Sequence, residues 1–235
     1  SRQRLVALVN TALTQIPVVI ADACLGSHAA LLGRLPDFFE AIARRSAYLS
    51  LLTEYPHTLE RVLRMINASG WAATFLTQHP ILLDELLDDR GNAAEDLPAL
   101  AASLAAQLDA AAGDTERQLD ILREAHHAQM FRLLALDLAG ELSVERLADH
   151  LSALADLIVC EVVRRAWRTI ASRHREVPRF AVIAYGKLGG KELGYVSDLD
   201  VIFLFDDDDD MAASNYAKLA QRFITVLLTL LLIGA

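Results

Sequence analysis

Apolar residues recur at three- and four-residue spacings along most of this chain, from residue 1 to about residue 175. The first example is the series Leu5, Leu8, Val9, Leu13 and Ile16. This spacing places side chains on one face of an α-helix, so it predicts amphipathic helices that bury a shared apolar face. A long stretch with this period restricts the first three quarters of the chain to an all-helical architecture.

Helix-breaking residues divide this stretch into about eight or nine predicted helices with short connections. The breaks lie at Gly33 with Pro36, Pro56, Asn67 with Gly70, Pro80, residues 88–96 and residues 112–114. Pro56 and Pro80 are each followed by an apolar residue three positions later, which is typical of the first turn of a helix.

The period changes at Val177–Pro178. Phe180 to Tyr185 is a short apolar run that ends at Gly186, and Leu199 to Phe205 is a second one. Short apolar runs bounded by glycine and polar residues predict buried strands. From Ala212 the helical spacing returns. The predicted fold class is therefore mainly α, with an all-helical region followed by an incomplete α/β (α+β) part of order strand, loop, strand, helix.

Composition and charge exclude several classes of protein. The net charge of −9 and the pI near 5.2 disfavour a nucleic-acid partner, because phosphate binding relies on clustered Lys and Arg. The apolar stretch Phe223 to Ile233 is shorter than the roughly 20 residues that span a bilayer, so no membrane association is predicted. Cys24 and Cys160 have no metal-ligand spacing, and residues 1–10 do not resemble a signal peptide, so we expect a cytoplasmic protein with reduced thiols.

The segment most informative about chemistry lies between the two predicted strands: residues 186–201 read GKLGGKELGYVSDLDV. It matches neither the P-loop nor the dinucleotide fingerprint. Asp198 and Asp200 lie at the start of the second strand, where alternation puts both carboxylates on one face and Leu199 in the core. Two carboxylates so close need a cation, and oxygen ligands suit Mg²⁺ shared with substrate phosphates. The glycine pair Gly189–Gly190 would let the backbone approach a triphosphate.

This segment resembles the nucleotidyltransferase signature of the polymerase-β-type superfamily and, within it, the bifunctional glutamine synthetase adenylyltransferase/adenylyl-removing enzyme family. The resemblance rests on GKLGGxEL followed by SDLD and an apolar strand. It extends upstream to the helical segments RSAYL at 45–49 and HPxLLDELL at 79–87. Nearly the whole chain is therefore covered.

The resemblance implies a role for each matching residue. Asp198 and Asp200 would be the catalytic metal ligands, holding two Mg²⁺ ions. Gly189, Gly190 and Ser197 would hold the triphosphate of the substrate ATP. The remaining nucleotide-binding residues would be Lys187 and Lys191, which would neutralise phosphate charge.

The resemblance also implies a function and a domain division. The implied reaction moves AMP from ATP to a tyrosine of glutamine synthetase and so regulates nitrogen assimilation in the bacterial cytoplasm. Segments 192–195 and 197–200 look more like the adding, carboxyl-terminal half of the family than the removing half. Residues 1–113 would form an all-helical linker or regulatory region, and residues 114–235 a truncated nucleotidyltransferase domain.

Two alternatives stay open at this point. The same site could remove AMP from glutamine synthetase by phosphorolysis. The chain could also be a helical module that docks glutamine synthetase or a PII-type signal protein, with an inert site.

Three further sequence features bear on the site. We expect Asp206 to Asp210 to be a solvated strand end, since the run lacks the spacing of a calcium loop. The arginines between residues 164 and 175 either face the nucleotide or form a solvated helix face, as is more usual. The superfamily uses a third carboxylate from a later strand, but this chain contains no Asp or Glu after Asp210.

Overall fold

The structure, a computed structural model, describes residues 2–21, 28–86 and 97–231. Ten α-helices and two β-strands lie within these ranges, and a 3-10 helix spans Pro80–Leu86. In chain order the elements are α1 (Arg2–Ala21), α2 (His28–Ala43), α3 (Ser46–Glu54), α4 (Pro56–Ala68), α5 (Gly70–Gln78), α6 (Leu97–Ala110), α7 (Thr115–Leu138), α8 (Val144–Arg168), β1 (Phe180–Ala184), α9 (Gly186–Gly189), β2 (Val201–Phe205) and α10 (Ala212–Leu231). The predicted fold class, mainly α with a small strand-containing part, is confirmed.

Helix α1 shows how the apolar spacing becomes a buried face. Leu8, Ala12, Ile16 and Val19 are buried, at successive spacings of four, four and three residues. Leu13, which we predicted on this face, is 52% exposed, and Ala12 takes the buried position instead. Position 13 lies about 100° around the helix from position 12, so a large side chain there points away from the packed neighbours.

The break predicted at Gly33 and Pro36 is wrong, because α2 continues through both residues. Proline in a helix interior removes one backbone hydrogen bond and disfavours the helix locally. Leu31, Phe38 and Ile42 of α2 are nevertheless fully buried. Burial of this face offsets the local cost and keeps the helix continuous.

The breaks predicted at Pro56 and at residues 112–114 are confirmed, and Pro56 is the first residue of α4. Pro80 begins the 3-10 helix and not an α-helix. Ser69 ends α4 and caps α5, where its hydroxyl accepts a hydrogen bond from the N–H of Ala72 at 3.2 Å. The break predicted at residues 88–96 lies outside the described residues.

Contacts group the chain into two units. The first comprises Ser1–Ala94 with Leu134–Glu141, and the second Glu95–Leu133 with Leu142–Ala235. In the first unit, α1 to α5 pack on one another around residues such as Leu59 and Leu63. The contacts place α6 in the second unit. The functional division that we expect between residues 113 and 114 stays a prediction.

The sheet belongs to the second unit. Strands β1 and β2 are antiparallel, with Phe180 opposite Phe205 and Ala184 opposite Val201. On one face, the ring centroids of Phe180 and Phe203 lie 5.4 Å apart, and Phe203 meets Phe223 of α10 edge-on at 5.3 Å. These contacts seat the sheet on α10, and the element order confirms the predicted strand, loop, strand and helix. The prediction that both strands are buried is wrong, because one face of the sheet is exposed and the other is only half-buried.

Helix α10 carries most of the apolar stretch that was considered as a membrane segment. Leu219 and Phe223 are fully buried in the second unit, and Leu227 is 8% exposed. Among the described helices, none is both long enough and apolar enough to cross a membrane.

Candidate functional site

Asp198 and Asp200 lie in the extended segment that leads into β2. The carbonyl oxygen of Asp200 accepts a hydrogen bond from the N–H of Tyr185 at 3.0 Å, which extends the β1–β2 pairing by one step. Both aspartates are exposed and Leu199 between them is half-buried. This alternation of exposed, half-buried and exposed side chains fits an extended segment, which would put the two carboxylates on one side.

Leu199 points to the opposite side, where it lines a cavity of about 70 Å³. Leu154 and Ile158 of α8 and His126 of α7 line the same cavity. Burial lowers the pKa of His126 to about 4, so this imidazole is neutral near pH 7. The Leu199 side of the segment that carries the carboxylates thus faces apolar and uncharged groups.

The side chains of Asp198 and Asp200 form no hydrogen bond or ion pair with any other residue in the described part of the chain. The same holds there for Lys187 and Lys191, which are both exposed. Two carboxylates and two ammonium groups in one short segment therefore remain available to a ligand. Exposed charges are ordinarily solvated, so these four groups can interact with a charged ligand without first breaking a bond to another described residue.

The turn between the strands is built from α9. The N–H of Gly189 donates to the carbonyl oxygen of Tyr185 at 3.1 Å, and the N–H of Gly190 donates to that of Gly186 at 3.0 Å. The N–H of Glu192 donates to the carbonyl oxygen of Lys187 at 2.7 Å. The amides of Gly189 and Gly190 are thus engaged within the turn, and contact of either N–H with phosphate would require sharing or opening these bonds.

Gly189 also has a packing reason to be glycine. A Cβ at this position would lie 2.7 Å from the carbonyl oxygen of Ala184, closer than a carbon atom can approach backbone oxygen. The turn therefore packs directly against the end of β1. This role is independent of any role in binding phosphate.

Replacing Gly189 with Ala is expected to lower the free energy of unfolding by about 1–3 kcal/mol, because the overpacked backbone must shift. Denaturant unfolding measures the change. Gly194→Ala is the matched control, since its Cβ would meet only the hydroxyl of Ser197 at 3.7 Å. We expect it to change stability by less than about 0.5 kcal/mol. Equal unfolding free energies for the two variants would contradict the tight packing of Gly189.

Ser197 closes the second half of the loop. Its hydroxyl accepts a hydrogen bond from the N–H of Gly194 at 2.9 Å, and its own N–H donates to the carbonyl oxygen of Gly194 at 3.3 Å. Ser197 is half-buried and immediately precedes Asp198. It holds the loop that presents the first carboxylate, and its hydroxyl proton can still be donated to a ligand.

Within the described residues, no group of three or more His, Cys, Asp or Glu side chains could hold a metal ion. Asp206 to Asp210 do not complete such a group with Asp198 and Asp200. Asp206 follows Asp200 by six residues along β2, which separates the two acidic segments by about 20 Å at the usual rise per strand residue. In the part of the chain that the structure describes, a cation at Asp198 and Asp200 would therefore find no third carboxylate, imidazole or thiolate ligand.

The acidic run at the far end of β2 is not the uniformly solvated strand end that we expected, because the side chain of Asp207 is 1% exposed. Its carboxylate accepts hydrogen bonds from Tyr216 at 2.6 Å, His174 at 2.9 Å and Arg175 at 2.5 Å. Burial alone would raise the pKa of Asp207, but the hydrogen bonds from Tyr216 and His174 and the charge of Arg175 outweigh it and hold the pKa well below its usual value. Burial and the bond to Asp207 raise the pKa of the Tyr216 hydroxyl.

The tautomer of His174 follows from its neighbours. Nδ2 of Asn215 donates to Nδ1 of His174 at 3.0 Å, and the same amide donates to the carbonyl oxygen of Ser172 at 2.8 Å. His174 therefore carries its proton on Nε2 and donates it to Asp207. A connected polar network thus ties the 172–175 loop to α10 and to the end of β2.

The arginines before β1 are mainly structural. The guanidinium of Arg165 is buried, bonding Glu161 of its own helix at 3.2 Å and pairing with Asp109 of α6. The hydrogen bond and charge of Arg165 lower the pKa of Asp109. Arg175 belongs to the Asp207 network. The interpretation of a solvated helix face is therefore wrong for Arg165, because two carboxylates compensate its burial.

A family model described as glutamate-ammonia ligase adenylyltransferase matches residues 59–231. A bifunctional glutamine synthetase adenylyltransferase/adenylyl-removing enzyme from Aromatoleum aromaticum is 59% identical over 83% of this chain and 21% of that protein. Proteins of the same name from Chromobacterium violaceum and Bordetella bronchiseptica are 56% and 53% identical, over 83% and 98% of this chain. The alignments cover 22% and 24% of those two proteins, so the chain spans less than a quarter of these curated relatives' length.

Proposed function

This chain belongs to the glutamate-ammonia ligase adenylyltransferase family, and on that premise we propose that it carries an adenylyl-transfer site centred on Asp198 and Asp200. The observation that supports the proposal most directly is the pair of exposed carboxylates without protein partners, beside a turn that carries two unpaired lysines. A site that binds a metal and a triphosphate requires both signs of charge in one place.

The two carboxylates fit Mg²⁺. They offer only oxygen ligands, they lie two residues apart in the segment that leads into β2, and neither side chain is bonded to another described residue. Mg²⁺ commonly binds through one or two carboxylates and completes its coordination with phosphates and water. When bound, the metal would neutralise phosphate charge and lower the pKa of the attacking hydroxyl, and the family resemblance implies two such ions.

The neighbouring residues would bind and orient ATP. Lys187 and Lys191 lie on the exposed turn and would neutralise the triphosphate. The hydroxyl of Ser197 would donate to a phosphate oxygen next to Asp198. Gly189 and Gly190 would keep this surface low enough for close approach of the phosphates, since neither has a side chain. No covalent intermediate on the chain is needed.

The site could add AMP to glutamine synthetase or remove it. We favour transfer of AMP from ATP to a tyrosine of glutamine synthetase in the bacterial cytoplasm, because segments 192–195 and 197–200 resemble the adding half of the family. Phosphorolytic removal of AMP is the second candidate, because the name of the similar proteins covers both reactions. A PII-type signal protein is a proposed regulatory partner.

Incubation with radiolabelled ATP, Mg²⁺ and unmodified glutamine synthetase tests the direction. We expect label on glutamine synthetase, formed far more slowly than with a full-length relative, because the third carboxylate implied by the resemblance is not in this sequence. A parallel reaction with adenylylated glutamine synthetase and phosphate measures ADP release. Release of ADP without incorporation of AMP would support the removing reaction. ATP binding without either product would support a docking role.

A further inference from the structure

Gly186, the first residue of the turn, lies directly against the carboxylate of Asp200. A Cβ on Gly186 would overlap Oδ2 of Asp200 and contact its Cγ at 3.3 Å. The φ angle of Gly186 is +57°, in the left-handed region that glycine adopts at little cost. An ordinary side chain at this position would therefore be strained by the backbone conformation and would have to displace the Asp200 carboxylate.

The backbone around Gly186 cannot easily move away from Asp200. On one side, the N–H of Tyr185 donates to the carbonyl oxygen of Asp200 at 3.0 Å. On the other side, the carbonyl oxygen of Gly186 accepts from the N–H of Gly190 at 3.0 Å, and the turn packs on β1 through Gly189. Since the main chain is held at both ends, a new side chain at position 186 would displace the Asp200 carboxylate and not the turn.

We propose that Gly186 is a positioning residue that sets where the Asp200 carboxylate meets a divalent cation. This inference rests on the proposed function, because it assumes that Asp200 is a metal ligand. Mg²⁺ requires ligand oxygens at nearly fixed distances and angles, so an aspartate that is pushed aside is a weaker ligand even though its charge is retained. Gly186 itself contributes no ligand atom and makes room for one.

A double-mutant cycle on the whole chain tests this role. The variants are Gly186→Ala, Asp200→Ala and the double variant, and the probe is Mn²⁺ titrated in the presence of ATP. Gly186→Ala is expected to weaken Mn²⁺ binding about tenfold or more, as for other residues that orient metal ligands. In the Asp200→Ala background the same substitution should change Mn²⁺ affinity less than about twofold, because the displaced group is already absent.

The control variant is Gly194→Ala, which lies in the same loop, has a φ outside the left-handed region and would place its Cβ in ordinary contact with the hydroxyl of Ser197 at 3.7 Å. We expect it to bind Mn²⁺ like the unmodified chain. A Gly186→Ala effect of equal size in both backgrounds would overturn the proposal, as would unchanged Mn²⁺ affinity in Gly186→Ala.

Unfolding temperatures provide a readout that does not depend on nucleotide binding. Gly186→Ala should lower the Tm more in the unmodified chain than in the Asp200→Ala background, where only the backbone strain remains. If Gly186→Ala fails to fold, recovery of folding in the double variant supports the contact, and failure of both variants to fold overturns it. If no variant binds Mn²⁺ while the Tm values remain coupled, the proposed function fails and the contact between Gly186 and Asp200 stands.

Discussion

Replacing Asp207 with Asn is expected to lower the Tm by about 10 °C or more, although Asn has nearly the same shape. The substitution removes the charge that compensates Arg175. The amide N–H groups of the new Asn side chain would also point at the hydroxyl of Tyr216 or the ring N–H of His174, which now donate to the carboxylate. Arg175 is 29% exposed, so most of the loss comes from the more buried donors of His174 and Tyr216, one or both of which lose their acceptor. Differential scanning calorimetry measures the effect.

Asp208→Asn is the matched control for this prediction. Asp208 is the next residue in the same acidic run, and it is exposed. Its substitution should shift the Tm by no more than a degree or two, as is usual for surface positions. Similar Tm values for the two variants would show that the Asp207 network contributes little to stability.

The hydrogen-bond network around Asp207 is also expected to make the stability of the fold depend on pH in the acidic range. The folded pKa of Asp207 lies below its unfolded value, so the carboxylate stabilises the fold fully above the unfolded pKa of Asp, about 4. That contribution is lost progressively as the pH falls below this value towards the lower folded pKa. Asp207→Asn should therefore show a weaker loss of stability than the unmodified chain in this acidic range, measured by unfolding at a series of pH values.

The second large effect concerns the metal site. Asp198→Asn and Asp200→Asn are each expected to weaken ATP binding in the presence of Mg²⁺ by about tenfold or more, because each removes a charged ligand. In the absence of divalent metal the variants should bind ATP at least as well as the unmodified chain, since a negative charge near the phosphates is gone. Calorimetric titration of ATP with and without Mg²⁺ measures both quantities.

These two substitutions should leave the fold intact. Both side chains are exposed and form no bond with another described residue, so the Tm is expected to stay the same or to rise slightly as repulsion is relieved. Asp206→Asn, at the exposed far end of β2, serves as the control with the same change of net charge. Unchanged Mg²⁺-dependent ATP affinity in both site variants would remove Asp198 and Asp200 from the proposed site.

The sequence by itself determined the features of this protein that depend on local pattern. The three- and four-residue spacing predicted the helices, Pro56 predicted the first turn of α4, and the short apolar runs predicted β1 and β2. The alternation along residues 198–200 predicted that Asp198 and Asp200 are exposed on either side of a more buried Leu199, as the structure has them. These features follow from backbone geometry within a few residues, which is why no knowledge of the tertiary structure was needed.

Only the tertiary structure decided the features that depend on partners distant in sequence. Pro36 lies inside α2 because burial of the helix face outweighs the local cost of proline. Asp207 is buried because His174 and Arg175, more than thirty residues earlier in the chain, are brought to it. A side chain at Gly186 would displace a carboxylate because the pairing of β1 with β2 places Asp200 against it. The physical reason is the same in each case. Burial, charge compensation and steric contact depend on which residues are neighbours in space, and the spacing of residues along the chain does not reveal those neighbours.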